Sequence, residues 1–419
     1  MIKRRTLLAG TAGLVGSKLL TSCSPAAANT LKIRLLEGSV PAEVLKTFQK
    51  QASGKVKFKL IAQLSTVFQQ LQTWQEAPET SPFSLRRFLP WTRREQASRP
   101  DNLVSLGDYW LTSAIAQNLL DPLELPASTL EKLPDDWRNF VSHTLTTQRE
   151  NSKNSREDGQ EDDLSSDQNV IWAAPYKVQS LVIVYRKSQF PNATAESPPF
   201  TSWRDLLMPQ LKQKLALPNH PRVLLGLLQK MQSGRFNASF DPTAGKSDAK
   251  SIEQIADELR GQLAEPFARL NQQVRTYSSK TALKALVNED VSVAVTWSSE
   301  AVSALDRYQD LRVVIPAEGS LLSADMWVRP KGADMGEAAQ AWIDFCWQTA
   351  AATQISASGE GLSPIFLAEE VSLPAVLENS ILSVSVLKES ELLLPLPKPQ
   401  ESAYWLLWKT LRGGDSNTD

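Results

Sequence analysis

The sequence predicts an α/β protein built on a parallel sheet, and three observations carry that prediction. From Leu31 onward, stretches with strand alternation are followed by stretches with helical spacing, the order that a parallel sheet with crossover helices requires. The run Ser180–Tyr185 is apolar from Leu181 on, as a central strand covered on both faces must be. The composition of the 419 residues, 42% apolar and 22% charged, is that of an ordinary globular chain. It excludes a disordered chain, a collagen-like repeat and a multi-span membrane protein. At roughly 150 residues per domain, the length predicts two to three domains.

The elements follow in order. Leu31–Leu36 alternates as a first strand, and residues 41–51 form a helix with Pro41 at its start and Val44 and Phe48 on one face. Val56, Phe58 and Leu60 mark a second strand over 55–61, followed by a helix over 65–74. Leu103–Leu106 is a third strand and 109–120 a helix. Beyond Ile171–Tyr176 and the apolar strand, Ser202 caps a helix through Leu211 and Leu215–Pro218 is a short strand. Helices are expected over 221–233, 250–274, 280–288, 337–353 and 400–411, with strands over 291–295 and 311–315. No internal repeat is visible.

Two stretches break the pattern. Residues 81–100 carry Arg86, Arg87, Arg93, Arg94 and Arg99 among Phe83, Phe88 and Trp91; they read either as an anion or membrane-surface patch or as a solvated insertion, and the second reading is favoured. Residues 150–169 are acidic, without an aromatic residue, and cannot bury a core. The acid run lacks the glycine and glutamate spacing of a calcium loop.

Residues 1–23 form an address. A basic start, Lys3, Arg4 and Arg5, leads into an apolar stretch that is too short to span a bilayer and is interrupted by Lys18. Leu20-Thr21-Ser22-Cys23 resembles a bacterial lipobox, which makes Cys23 the lipid attachment site and residues 24–30 a flexible tether. The other reading is an ordinary signal peptide with a stray cysteine. Arg4-Arg5 before Leu7-Leu8 also resembles a twin-arginine signal, so two export routes stay open. Both lead out of the cytoplasm.

Charge and cysteine content narrow the function. The 45 basic and 46 acidic residues give a net charge of −1, and four of the basic residues lie before residue 31, so the body is mildly acidic and has no overall attraction for nucleic acid. With Cys23 lipidated, only Cys346 remains, within the apolar run Ala341–Trp347, where it reads as core; no intramolecular disulfide can form. His143 and His220, the only histidines, are far apart in sequence, which argues against a zinc site or histidine-based catalysis. No cofactor and no metal are expected, and the chain does not read as an enzyme.

Six strings in order resemble the spermidine/putrescine-binding proteins of ABC importers. They are Val40-Pro41, Pro175-Tyr176, Ser202-Trp203-Arg204-Asp205-Leu206 with Pro209, Asp290 to Trp297, Ile315–Gly319 followed by Ala324-Asp325-Met326-Trp327-Val328, and Gly361-Leu362-Ser363-Pro364. The resemblance spans residues 31–370. It implies a two-lobed type II periplasmic binding protein, each lobe a mostly parallel sheet flanked by helices, with a hinge between. Lobe I would hold residues 31–178, lobe II 179–317, and 318–419 would return to lobe I with the C-terminal helices.

The resemblance also implies a substrate-binding lipoprotein on the periplasmic face of the membrane. It would be held there by its lipid alone, would act as a monomer, and would deliver a polyamine or related small cation to a membrane permease. Carboxylates suit the ammonium ends of a polyamine and aromatic faces suit its chain. Trp297 falls on a family pocket tryptophan and Asp325 on the aspartate that binds an ammonium. Tyr109 matches a pocket tyrosine, with Trp110 as its competitor for the cleft. Departures are equally plain. The aromatic–acid opening of the family is here Leu35–Ser39, where Glu37 stands either as a substitute carboxylate or as a surface residue, and Ser39 as a polar contact. The acids expected after Leu217 are replaced by Pro218–Val223, and the tryptophan expected before Asp325 is Ser323. Two alternatives therefore stand beside the polyamine: a different small ligand (an anion, an amino acid or a metal chelate), held by Arg222, backbone amides and Ser39, or a lipoprotein scaffold that keeps the fold without transport.

Overall fold

A computed structural model describes residues 30–76, 99–142, 170–194, 197–241, 244, 250–279, 281–358, 361–368, 371–377, 382 and 384–413. Cys23 and the address, the tether up to residue 29, the insertion at 150–169, His143 and most of the insertion at 81–100 lie outside the described residues.

Strands β1 (Leu31–Leu36), β2 (Val56–Ile61) and β3 (Leu103–Gly107) are parallel, with β1 between the other two. β4 (Leu120–Asp121) is a short edge piece. β5 (Ala173–Arg186) is a single strand of 14 residues, longer than its apolar run suggests. β6 (Leu215–Leu217), β7 (Val274–Tyr277) and β8 (Val293–Trp297) build the second lobe, and β9 (Leu311–Val314) adds to β5. β10 (Leu321–Pro330) lies antiparallel between β3 and β5, and β11 (Glu391–Leu392) pairs with its start. The path through the sheet is β2-β1-β3-β10-β5-β8-β6-β7.

This order makes β5 the bridge between lobes. Residues Ala173–Ser180 pair with β10, and Leu181–Arg186 pair with β8 and β9. The buried side chains divide at the same place. One cluster runs from Leu31 to Val178 and resumes at Leu322; two others begin at Leu181 and Val182, and the first of these includes Leu321. The chain therefore crosses between lobes near Ser180 and again near Leu321. The C-terminal helix Lys398–Leu411 packs Tyr404, Leu407 and Trp408 into the second lobe's core rather than the first.

The hinge return is tied down by the Ser202-Trp203 string. Trp203 is fully buried and its indole N–H donates to the Gly319 carbonyl at 2.8 Å, while Ser202 Oγ and the Trp203 amide both donate to Glu318. Two expected helices are broken. Residues 202–211 form two 3-10 turns because Pro209 lacks an amide hydrogen, and 337–353 splits into Glu337–Cys346 and Thr349–Ala357. At that break, the buried Trp347 turns its N–H onto the Pro175 carbonyl at 2.7 Å.

Candidate ligand-binding site

The polar residues of interest gather where strands end and helices begin between the lobes, the place where open α/β sheets bind ligands. β3 ends at Gly107, and Asp108 and Tyr109 open the helix Asp108–Ala116. Asp108 is only 1% exposed. Its Oδ1 accepts from Ser323 Oγ at 2.7 Å and from the Tyr109 amide at 2.9 Å, whereas Oδ2 has no hydrogen-bond partner. Burial, opposed by these hydrogen bonds and reinforced by the charge of Asp325, pushes its pKa up to about 7.

Asp325 lies two residues after Ser323 on β10, so the two point to the same face. The register there contains a bulge: Asp325 pairs with Lys177 and Met326 with Pro175, so Tyr176 is passed over. A bulge lets neighbouring residues approach one site, and here Tyr176 and Lys177 both come near Asp325. Lys177 Nζ stands 3.3 Å from Asp325 Oδ2, with both side chains no more than 4% exposed. Tyr176 stacks on Trp327 at 4.2 Å between ring centres; its hydroxyl donates to Ser39 Oγ at 3.1 Å and shares a hydrogen bond with Ser105 Oγ at 2.8 Å. Burial, then the charge of Asp325, holds that hydroxyl well above the usual tyrosine range.

The second lobe presents His220 and Arg222 at the start of the helix Pro221–Ser233. The His220 ring meets Tyr109 edge-on at 4.9 Å and Trp405 at 6.4 Å, and its Nδ1 has no hydrogen-bond partner. Burial, then the charge of Arg222, lowers its pKa to about 4, so it is neutral near pH 7. Arg222 donates to the Leu394 carbonyl and to Asn237 Oδ1, and lies over the Tyr404 ring. Tyr109 also donates its hydroxyl to Glu401 Oε1 at 3.0 Å. Through His220 and Glu401, Tyr109 thus joins the first lobe to the second.

Of the residues expected at the site, Asp325, Ser39 and Tyr109 are drawn into one polar cluster. Trp297 is not placed against Asp325. It pairs with Leu181, four residues along β5 from Lys177, or about 13 Å at the usual strand rise, and packs half-buried on the second lobe's core. Glu37 is exposed in the turn after β1. Sequence reasoning missed Asp108, Lys177 and Glu401. An acid at a strand end, directly before the expected Tyr109, was the available signal for Asp108. Among the described residues, no group of three or more His, Cys, Asp or Glu side chains is placed to hold a metal, and no helix is long and apolar enough to cross a membrane.

Comparison with known proteins agrees with this architecture. The fold is similar to that of the spermidine/putrescine ABC transporter substrate-binding protein PotD of Streptococcus pneumoniae, with a TM-score of 0.64 and 17% identity over 91% of this chain and 99% of that one. The TpPotD lipoprotein of Treponema pallidum matches with a TM-score of 0.60 and 13% identity, over 91% and 99% of the two chains. The apo ferric ion-binding protein A of Pasteurella haemolytica matches with a TM-score of 0.52 and 13% identity, over 93% and 100%. These likenesses establish the two-lobed type II periplasmic binding fold. No curated protein matches by sequence. Residues 100–385, well over half of the chain, match the profile of the bacterial extracellular solute-binding proteins, and the chain belongs to that family.

Proposed function

We propose that this solute-binding protein is the substrate-binding component of an ABC importer, and that its ligand is a small organic cation of the polyamine class, bound between the lobes and handed to a membrane permease. The observation that carries the cation is Asp108: a buried carboxylate with one oxygen unpartnered, beside a second carboxylate, Asp325. A buried carboxylate oxygen without a donor is costly, and a ligand N–H relieves that cost. Asp108 and Asp325 together favour a positive charge beside them, and Asp108 Oδ2 is the acceptor still open to a donor. Tyr109, Ser39 and Trp297 would line the path of the ligand, and the polyamine-binding fold relatives support the class. Ligand binding would favour the closed arrangement in which the two lobes touch.

The protein would act as a monomer held at the outer face of the membrane by a lipid on Cys23. Replacing Cys23 by Ala should move it from the membrane fraction to the soluble extracytoplasmic fraction; continued retention would remove the anchor.

The cation is tested by the unfolding temperature of the purified chain with putrescine, spermidine, amino acids, anions and ferric chelates. A ligand at 100 times its dissociation constant adds about 2.7 kcal/mol of stability. A rise with amines alone supports this reading. A rise only with an anion or a chelate replaces the ligand and keeps the transport role, and no rise with any compound favours a scaffold.

A further inference from the structure

We infer that Glu401, in the first turn of the C-terminal helix, is the second acid of the ligand site, so that the site takes an amine with a cationic group at each end, one held at Asp108 and the other at Glu401. This rests on the cation reading above and narrows it.

A third passage of the chain between the lobes brings Glu401 to the boundary. Leu377, Leu382 and Leu387 belong to the first lobe's core and Leu393 to the second's, so the chain changes lobes just before the helix Lys398–Leu411, whose core residues pack into the second lobe. Tyr109 meets the first turn of that helix from the other side. Its amide donates to Asp108 Oδ1 at 2.9 Å and its hydroxyl donates to Glu401 Oε1 at 3.0 Å. The two carboxylates therefore stand at opposite ends of one tyrosine, a gap within the reach of a short alkyl diamine.

Both acids can accept from a ligand. Asp108 Oδ2 is buried without a partner. Glu401 is half-buried, and the Tyr109 hydroxyl is the one partner of its carboxylate among the described residues. Asp325, by contrast, already has the Lys177 ammonium beside it at 3.3 Å. The surface that joins the two acids is aromatic: Tyr109 itself, His220 edge-on to it at 4.9 Å, and Trp405 at 6.4 Å from His220. Trp405 follows Glu401 by four residues and so shares its side of the helix. Carboxylates hold ammonium ends by charge-assisted hydrogen bonds, and aromatic faces attract them through cation–π contact. Where acids are expected after Leu217, the chain has Pro218–Val223; Glu401 supplies the second lobe's carboxylate from a different element.

The test compares putrescine with N-acetylputrescine, which has the same chain but one ammonium replaced by a neutral amide, by titration calorimetry on the purified wild-type protein. Putrescine should bind tighter by about threefold or more. A smaller difference, or the reverse order, would overturn the inference while leaving the cation reading intact, and binding of neither amine would remove both. Glu401→Gln keeps an acceptor for the Tyr109 hydroxyl and removes the charge. Putrescine should then lose about tenfold in affinity and N-acetylputrescine no more than about twofold. A folded Glu401→Gln protein that loses affinity equally for both amines, or for neither, would also overturn the inference. The wild-type comparison stands by itself if that variant does not fold.

Discussion

Tyr109 donates its hydroxyl to Glu401 across the boundary between the lobes, at 3.0 Å, from the first turn of a helix in one lobe to the first turn of the C-terminal helix on the other. The same ring rests edge-on against His220. One side chain therefore makes two contacts that exist only while the lobes are together.

Tyr109→Phe should loosen the closed arrangement without unfolding either lobe. The ring and its contact with His220 remain, and only the hydrogen bond is lost, worth about 1 kcal/mol with Glu401 left partly solvated. If only the closed state holds ligand, affinity falls about fivefold. Small-angle scattering of the ligand-free variant should show a larger radius of gyration than wild type, with the thermal midpoint little changed. Identical scattering and affinity would show that this hydrogen bond does not help to hold the lobes together.

At the other end of β3, Asp101 is a control for electrostatics unrelated to ligand. It is fully buried and takes Arg34 and Lys59, each at 2.8 Å, and Arg34 also lies over Trp74. Asp101→Asn should lower stability by about 2 kcal/mol, read by chemical denaturation, because one charge-assisted bond is lost and Arg34 remains partly buried. Amine affinity should stay at the wild-type value, since Asp101 lies beyond the opposite end of β3 from Asp108. A parallel loss of affinity would mean that the first lobe transmits strain along that strand.

Gly361→Ala should damage both fold and site. The new Cβ would fall 2.6 Å from the Val178 carbonyl oxygen and 2.7 Å from Lys177 Cγ. The first clash is with backbone that exchanges hydrogen bonds with Leu362 at 2.7 and 2.8 Å. Overpacking of this kind costs about 1–3 kcal/mol. The thermal midpoint should drop, and amine affinity should fall in the same variant, because Lys177 beside Asp325 is pushed aside. Unchanged affinity at reduced stability would mean that the lysine stem has room elsewhere.

Much of this architecture is legible in residue patterns, and the parts that are not share a cause. The parallel strands and the Trp203 string follow local rules: alternation, an apolar run, a serine cap. β10 is harder to see, because Ser323 and Asp325 interrupt its apolar run, and they do so because they serve the polar cluster. Lys177 inside an apolar strand carries no local sign of its role, since its partner Asp325 comes from a segment far along the chain and meets it only through the bulge at Tyr176. The break after Cys346 is set by Trp347 reaching Pro175, again a tertiary contact. Asp325 is singled out only by family resemblance, and the residue that pairs with it, Lys177, is not.

Asp108 and His220 should give stability a pH profile in which two opposing slopes can be separated. Asp108 is raised from an ordinary value of 3.8 to about 7. Its folded form keeps a proton that the unfolded chain has already released. Its contribution is therefore whole below about pH 4 and is lost as pH rises through 7, a change of about 4 kcal/mol. His220 is lowered from 6.5 to about 4, so its contribution is whole above pH 6.5 and is lost as pH falls toward 4. Asp108 is faced by Asp325 and Arg222, and His220 by Arg222 and Tyr109. Between pH 4.5 and 6.5 the two effects offset each other in the wild-type protein. Asp108→Asn removes the acid slope, so its denaturation midpoint should rise with pH across that interval, whereas His220→Asn should show a midpoint that falls. A variant profile that parallels wild type in both cases would mean that neither group titrates in this way. Amine binding adds a third readout: a ligand ammonium needs Asp108 ionised, so affinity should fall about tenfold per pH unit below 7 in wild type, and Asp108→Asn should bind weakly at every pH.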